Sequence, residues 1–584
     1  MKQLILLFIS LIGFSIYAQE EYPKGENLIN YDKIKHISTN KEFGKVSIIE
    51  PYKKSNPLFE IETHTQPQFI YKCATSIPIH IRPVNLGRVF LLSFSAKTTK
   101  SSLETGEAKI NLLFKQSNSY KNNLVSTQSI SSKWQTYYVP FKSNINIQKK
   151  DLGIVLHYGF RPQTFQIKDI KFQIFSEGTK LESLPKTKIV YTGMEPNAQW
   201  RVEANKRIEA IRKGNFTLNI FKNGKPLENK KVQITLKEHA FPFGAMMHAR
   251  DIINDKTQYN NFKKLFNLTV LGNDLKIKAW SYKKKRPITL KALEKLQKDK
   301  ITTKGHVLMW PGFQYNTKEI RANKNNPEKI KEIVRTHLNS ILTTTNGKVS
   351  HWDVVNETYT NKDFQNVMGG EDFLYEAFNI TRNLAPKAKR FTNEYGIISS
   401  GGLDSKKQQW YYDYIKRVDK NTNNAIQGVG IQSHIGSDLT SPEKVLKILG
   451  YYATLGKQIS ISEFTMDIQE PKIREQYTRD FMTVVFSHPN VSEFMFWGFK
   501  KDKNAKVDIY DENNEIGAMG KAYISLVFKD WKTNLTKSTN NLGKISSRGF
   551  YGLYEYTFIN EGKVVNGTFH LKPRNSNIIN INLK

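Results

Sequence analysis

Residues 349–357 read Val-Ser-His-Trp-Asp-Val-Val-Asn-Glu, a short apolar run that stops abruptly at an amide and a carboxylate. It is one of eight such runs. The others are Phe241–Met247, Phe266–Leu271, Ile301–Trp310, Arg390–Asn393, Ile426–Ile431, Gln458–Ile461 and Val491–Phe496. Their starts are roughly 25 to 50 residues apart, which leaves room for one helix after each strand. Helical patterns occupy those intervals, as over Pro327–Leu342 and Asp404–Val418. Strand then helix, eight times over, predicts a (β/α)8 barrel across 241–530. A doubly wound open sheet is the main competitor, but no GxGxxG or GxxxxGK[ST] loop follows the first strand.

The flanks read differently. Residues 19–185 hold short alternating segments, among them Val89–Ala96, Ile110–Lys115, Trp134–Phe141, Ile154–His157 and Gln166–Phe175, separated by Ser/Asn/Lys turns. This is the pattern of an antiparallel β-sandwich. Over 186–240 a linker leads to a helix at about Pro196–Lys213, where Trp200, Ala204, Ile208 and Ile211 recur at helical spacing. A hairpin follows, with Phe216–Ile220 and Lys231–Leu236 flanking Asn223-Gly224-Lys225-Pro226. The tail, 531–584, returns to strand alternation and predicts a small C-terminal β appendage. The whole is therefore a multidomain chain built around a TIM barrel.

Composition supports sizeable cores in a chain of 584 residues, with 39% hydrophobic and 12% aromatic side chains. Lys2, the apolar Leu4–Tyr17 and small Ala18 before Gln19-Glu20-Glu21 read as a cleaved export signal over 1–18. That run is too short to anchor in a bilayer, so secretion or a periplasmic or cell-surface location is expected. Cys73 is the single cysteine, which excludes an intramolecular disulfide and CxxC metal or redox sites. The net charge is +35. Its lysines are scattered along the chain, which reads as solvated faces rather than a nucleic-acid arm. No HExxH occurs, and Asp511–Gly517 lacks the glycine spacing of a calcium loop, so neither metal nor cofactor is expected. A monomer is expected.

Functional side chains of a parallel barrel gather at the carboxyl ends of its strands. Those ends carry Asn273 and Lys276, His306 and Trp310, Asn356 and Glu357, Tyr395, Gln432 and His434, Glu463, and Trp497. Acetal hydrolysis needs one carboxylic acid for the leaving oxygen and one carboxylate facing the oxocarbenium-like carbon, about 5 Å apart in a retaining pair. Glu357 and Glu463, at the ends of strands four and seven, are the candidates. His434 is a candidate partner for Glu463 and Asn356 for a sugar hydroxyl, while Trp310 and Trp497 offer faces for pyranose stacking. Any one of these residues taken alone would more readily be structural; the combination carries the reading.

The same motifs resemble glycoside hydrolase family 10, the endo-β-1,4-xylanases. Gly305–Trp310 resembles GHxLxW, Trp352–Glu357 matches WDVVNE, and Gly428–His434 resembles GxGxQxH. Ser462-Glu463 takes the place of the nucleophile strand, Phe496-Trp497-Gly498 is the closing FWG, and Asn273 with Lys276 fits NxxKW. The resemblance covers about 241–528. It implies Glu357 as acid/base, Glu463 as nucleophile, and Asn273, Lys276, His306, Trp310, Asn356, Tyr395, Gln432, His434 and Trp497 as contacts to xylan or a related β-1,4-linked polysaccharide. More loosely, Trp134–Phe141 and Gln163–Ile170 resemble strands of a xylan-binding module. Five departures stand out: Gly272 for a Glu, Ile277 for the Trp of NxxKW, Pro311 for a His, Thr465 for an Asp, and no second Trp after Trp497. They fall on sugar-contacting positions. They leave open a glycan-binding protein with weak catalysis, or a hydrolase of another β-linked glycan.

Overall fold

The computed structural model describes residues 22–34, 41–49, 57–116, 122–144, 146–147, 152–502 and 506–583. The expected export signal lies outside them. Among the described residues no helix is long and apolar enough to cross a membrane. The chain forms two compact units, one of Met1–Ser101 with Ala108–Lys188, the other of Ser102–Glu107 with Ile189–Lys584.

The first unit contains two antiparallel sheets. One runs Gly44–Ile49, Leu58–Thr63, Gln163–Ile174, Val89–Ser101, Gln135–Lys142, with Glu26–Asn27 beside Gln163–Ile174. The other runs Ala74–Pro78, Leu152–His157, Ala108–Gln116, Asn122–Ile130. Strand alternation sends every second side chain inward, so Phe90, Leu92 and Phe94 of one sheet meet Ile110, Leu112 and Phe114 of the other in a single core. Phe90, Phe114, Phe141 and Phe172 sit at its centre with ring centroids 5.0–6.1 Å apart. This is a β-sandwich, as the alternation predicts. Trp134 stays outside the core, with the Lys97 and Lys168 ammonium groups 5.2 and 4.8 Å from its ring centre.

The second unit holds the barrel. Its strands are β1 (Phe243–Met246), β2 (Leu268–Val270), β3 (Thr302–Met309), β4 (His351–Asn356), β5 (Lys389–Glu394), β6 (Gly428–Ile431), β7 (Gln458–Met466) and β8 (Val491–Phe496). Each pairs in parallel with the next, and β8 pairs with β1, closing the sheet. Helices such as Pro327–Thr345 and Ser405–Thr422 cover the outside. The first starts with Pro327 after Asn326, whose side chain accepts from the Lys329 N–H; Asp404 caps the second in the same way. Such strands are buried on both faces, and all six residues of β4 are buried. That is why they appear in the sequence as unbroken apolar runs. Most strand bounds move by one or two residues, and one moves further. β7 continues past Ile461 through a register slip between Ile461 and Phe464, so Glu463 lies within the strand, not beyond it.

The helix Gln199–Arg212 appears as predicted, burying Trp200, Ala204 and Ile208. Arg212 ties it to the barrel by donating to the carbonyls of Phe486, His488 and Val491. The expected hairpin needs correcting. Asn223-Gly224 does turn the chain, both with positive φ, but the return arm lasts only Lys225–Pro226, and proline donates nothing to a ladder. Lys213–Lys222 and Lys231–His239 then join different sheets, because the tail supplies better partners. Lys544–Phe550 and Ile578–Leu583 flank the former; Asn534–Ser538 and Gly552–Asn560 flank the latter. Phe216, Tyr554 and Phe569 pack between them, and Trp531 stacks on Phe486 at 4.2 Å.

Candidate active site

The two glutamates are joined by a chain of side-chain amides. Gln432, just past β6, donates from Nε2 to Glu357 Oε1 at 3.0 Å and to Asn356 Oδ1 at 3.4 Å. Asn356 Oδ1 also accepts from Asn393 Nδ2 at 2.9 Å, and that Nδ2 lies 2.7 Å from Glu463 Oε1. Asn393 is in turn fixed by Ser462, whose hydroxyl donates to its Oδ1 at 2.6 Å. Four neighbouring strand ends thus hold both carboxylates in one rigid network. Glu357 turns out of β4 at a positive φ of 55°, with its N–H held by the Asn393 carbonyl at 2.9 Å.

Their surroundings differ. Burial, together with the nearby charges of Glu394, Glu463 and Glu104, pushes the Glu357 carboxyl up to about 7, against the Gln432 hydrogen bond that favours its ionised form. Glu463 accepts instead from Asn393 Nδ2, with the rings of His434 and His306 beside it, their Nε2 and Nδ1 at 3.4 and 3.9 Å. Two carboxyls in contrasting environments, one inclined to keep its proton, are the arrangement that assigns acid and nucleophile roles. His434 is oriented by Thr465, its Nδ1 2.8 Å from the hydroxyl. His306 Nδ1 is 2.9 Å from Asp353 Oδ2.

Beneath the site the barrel interior is ionic. Lys304 lies 3.1 Å from Asp353 and 3.6 Å from Glu493, and His351 lies 3.0 Å from Glu493, all nearly inaccessible. Burial alone would raise the Asp353 carboxyl, yet Lys304 and His306 outweigh it and hold it below the usual carboxylate range. Glu493 is held low in the same way, with His351 and Lys304 opposing the effect of burial.

The remaining sequence candidates divide. Trp497 lines the mouth, its ring 5.1 Å from His306. Lys276 projects over Trp310 at 4.7 Å and Trp497 at 6.0 Å, and burial pulls its ammonium below the usual range against the attraction of Glu463 and Glu357. Trp310 is no open platform: Tyr315 stacks on it at 3.6 Å, nearly parallel, and Lys276 takes the remaining face. Tyr395 is buried under Lys407, whose Nζ is 3.3 Å from the ring centre and 3.0 Å from Glu394. Asn273 is exposed on the loop after β2. Asn356 Nδ2, Gln432 Oε1 and Trp310 Nε1 are buried without a hydrogen-bond partner among the described residues. Sequence reasoning left Asn393, Asp353, Glu394, Lys407 and Thr465 without roles. Asn393 and Glu394 stood at a strand end and Thr465 stood out as a departure, while Asp353 and Lys407 carried no such signal.

The site is thus a closed parallel barrel with two amide-linked carboxyls at its mouth. Residues 233–515 match the model of glycosyl hydrolase family 10. A protein from Acetivibrio thermocellus named "Anti-sigma-I factor RsgI6" is 29% identical over 379 residues, 62% of this chain and 47% of the relative. "Endo-1,4-beta-xylanase 3" of Arabidopsis thaliana is 26% identical over 345 residues, 58% of this chain and 44% of the relative. The chain therefore spans about half the length of these curated relatives. Native xylanase 10B from Thermotoga maritima aligns over 50% of this chain and 95% of its own, at 21% identity and a TM-score of 0.45.

Proposed function

We propose that the protein is an exported, retaining endo-1,4-β-xylanase. Glu357, neutral below about pH 7, protonates the departing glycosidic oxygen as Glu463 attacks the anomeric carbon. The C–O bond to the leaving sugar breaks and a glycosyl ester on Glu463 forms. Glu357, now ionised, takes a proton from water, whose oxygen releases the sugar and restores both carboxyls. Asn393 holds the attacking oxygen in place. The observation that carries this reading is the pair itself: two buried glutamates in one amide network, one raised to about 7 and the other accepting from Asn393 Nδ2. Export rests on the Leu4–Tyr17 run followed by Gln19-Glu20-Glu21, and the xylan substrate on the family.

Reducing-sugar release from xylan, and its loss in Glu463→Ala, test the proposal; substantial turnover by that variant would refute it. The anti-sigma-factor name of one relative and the altered sugar-contact positions favour a second reading, a glycan sensor with little turnover. Under that reading the protein would retain xylan on an affinity gel yet release no sugar from it.

A further inference from the structure

Lys407 sits where a cation is disfavoured. It belongs to the first turn of the helix Ser405–Thr422, whose Asp404 cap accepts from the Lys407 N–H at 3.0 Å. The partial positive charge of a helix N-terminus opposes an ammonium there. Its side chain is also only 4% exposed, and a lysine is rarely buried unless it is paired. The partner is Glu394, the fully buried last residue of β5, whose Oε1 lies 3.0 Å from Lys407 Nζ. Gly396, at φ +72°, leaves the ammonium room, since a Cβ there would stand 3.4 Å from Nζ. A buried ion pair is weak evidence for stability, because desolvation offsets much of the attraction. This pair matters for what Glu394 holds.

Glu394 reaches across to the loop after β4. Its Oε2 accepts from the Tyr359 N–H at 3.2 Å, and its Oε1 accepts from the Tyr395 N–H at 3.2 Å as well as from Lys407. Tyr359 lies two residues after Glu357, in the turn that opens where Glu357 takes its positive φ. Further contacts close that turn. The Tyr395 hydroxyl donates to Thr360 Oγ1 at 3.1 Å. Lys407 Nζ lies 3.3 Å from the centre of the Tyr395 ring and 5.2 Å from that of Tyr359. Asn361 then returns to Glu357, donating from its N–H to the carbonyl at 3.1 Å and from Nδ2 to Oε2 at 3.4 Å. The ammonium therefore bears on Tyr395 directly and, through Glu394, on the backbone that carries Glu357. The charge of Glu394 also acts on the Glu357 carboxyl.

Resting on the glycoside hydrolase reading, we infer that Lys407 is a positioning residue for the acid/base. It holds the Glu394 carboxylate in place, Glu394 holds the Tyr359 N–H, and the turn so fixed aims the Glu357 carboxyl at the leaving oxygen. Lys407 itself takes no part in bond cleavage. An uncompensated buried charge is costly. Without the ammonium the Glu394 carboxylate is therefore expected to turn away, which loosens its bond to Tyr359 and the turn behind Glu357.

The test compares wild type with Lys407→Met on two aryl β-xylobiosides. Phenol must be protonated as it departs, whereas dinitrophenol leaves as its anion, so only the phenyl glycoside draws on the acid in the first step, which kcat/KM reports. Loss of alignment at a reacting group costs up to about a hundredfold. The variant should accordingly lose about ten- to hundredfold in kcat/KM on the phenyl glycoside and little on the dinitrophenyl one. The ratio of the two rates does not depend on how much of the variant is folded. An equal loss on both substrates, or no loss on either, would overturn the assignment. A second readout needs no turnover. Amide exchange of the segment 357–361, followed by mass spectrometry, should quicken in Lys407→Met while β7 and β8 keep their rates; unchanged exchange there would also overturn it. The two measurements separate this inference from the xylanase reading. Wild type inert on both glycosides, with exchange still responding to Lys407, would remove that reading and leave the link from Lys407 through Glu394 to Tyr359 standing. Turnover of both glycosides, with ratio and exchange indifferent to Lys407, would do the reverse.

Discussion

Replacing Gln432 with leucine should move the alkaline limb of the pH–rate profile upward. Gln432 Nε2 donates to Glu357 Oε1 at 3.0 Å, and a donor to a carboxylate favours its ionised form. That bond is therefore one of the restraints on a carboxyl already raised to about 7. Leucine removes the donor and adds apolar surface, and both changes favour the protonated acid. A hydrogen bond to a charged group contributes about 1.5–3 kcal/mol, and about 1.4 kcal/mol corresponds to one pH unit. Asn361 Nδ2, 3.4 Å from the other carboxylate oxygen, retains part of the stabilisation, so a shift of about one unit is expected. The assay is kcat/KM for an aryl β-xylobioside across pH 4–9, which reports the free enzyme. Wild type should lose activity as pH rises through about 7, while the variant should have a lower plateau that persists about one unit further. A limb that stays in place or moves to lower pH would refute Glu357 as the acid and Gln432 as its restraint.

Asn393→Ala removes the 2.7 Å donor to Glu463, the shorter of two bonds to Asn356 Oδ1 and the acceptor of the Ser462 hydroxyl; kcat should fall about ten- to hundredfold, measured as initial rates on xylo-oligosaccharides. Lys304→Met leaves Asp353 and Glu493 buried without their shared cation and should cost about 3–5 kcal/mol at pH 7 by urea unfolding. Both carboxyls are held below the usual range, so their stabilisation is present above the unfolded-state pKa and fades in acid. The deficit of Lys304→Met should accordingly shrink as pH falls below about 4. Thr465→Val deletes the hydroxyl 2.8 Å from His434 Nδ1 and should lower kcat/KM about tenfold, with the melting temperature nearly unchanged.

The barrel was legible because its strands are buried on both faces and appear as apolar runs of regular period. The two glutamates were legible because strand ends are where such a fold can present polar groups. Less visible was everything that depends on what lies opposite. Lys304, Asp353 and Glu493 resemble ordinary charged residues in the sequence, and only barrel closure brings them together in the interior. Trp310 reads as a sugar platform until Tyr315 folds onto it, and the hairpin at Asn223-Gly224 reads as a closed pair until the distant tail supplies competing strands. Asn393 could be seen at its strand end, but its role as the link between Asn356 and Glu463 required the register of three neighbouring strands.

Trapping the intermediate would establish whether Glu463 is a nucleophile and Glu357 its acid/base partner. Wild type incubated with a 2-fluoro-xylobioside bearing a good leaving group should accumulate one covalent glycosyl adduct, and peptide mass spectrometry should place it on the peptide carrying Glu463. Hydrolysis of the parent xylobioside with inversion at the anomeric carbon, or an adduct on another carboxyl, would contradict the account.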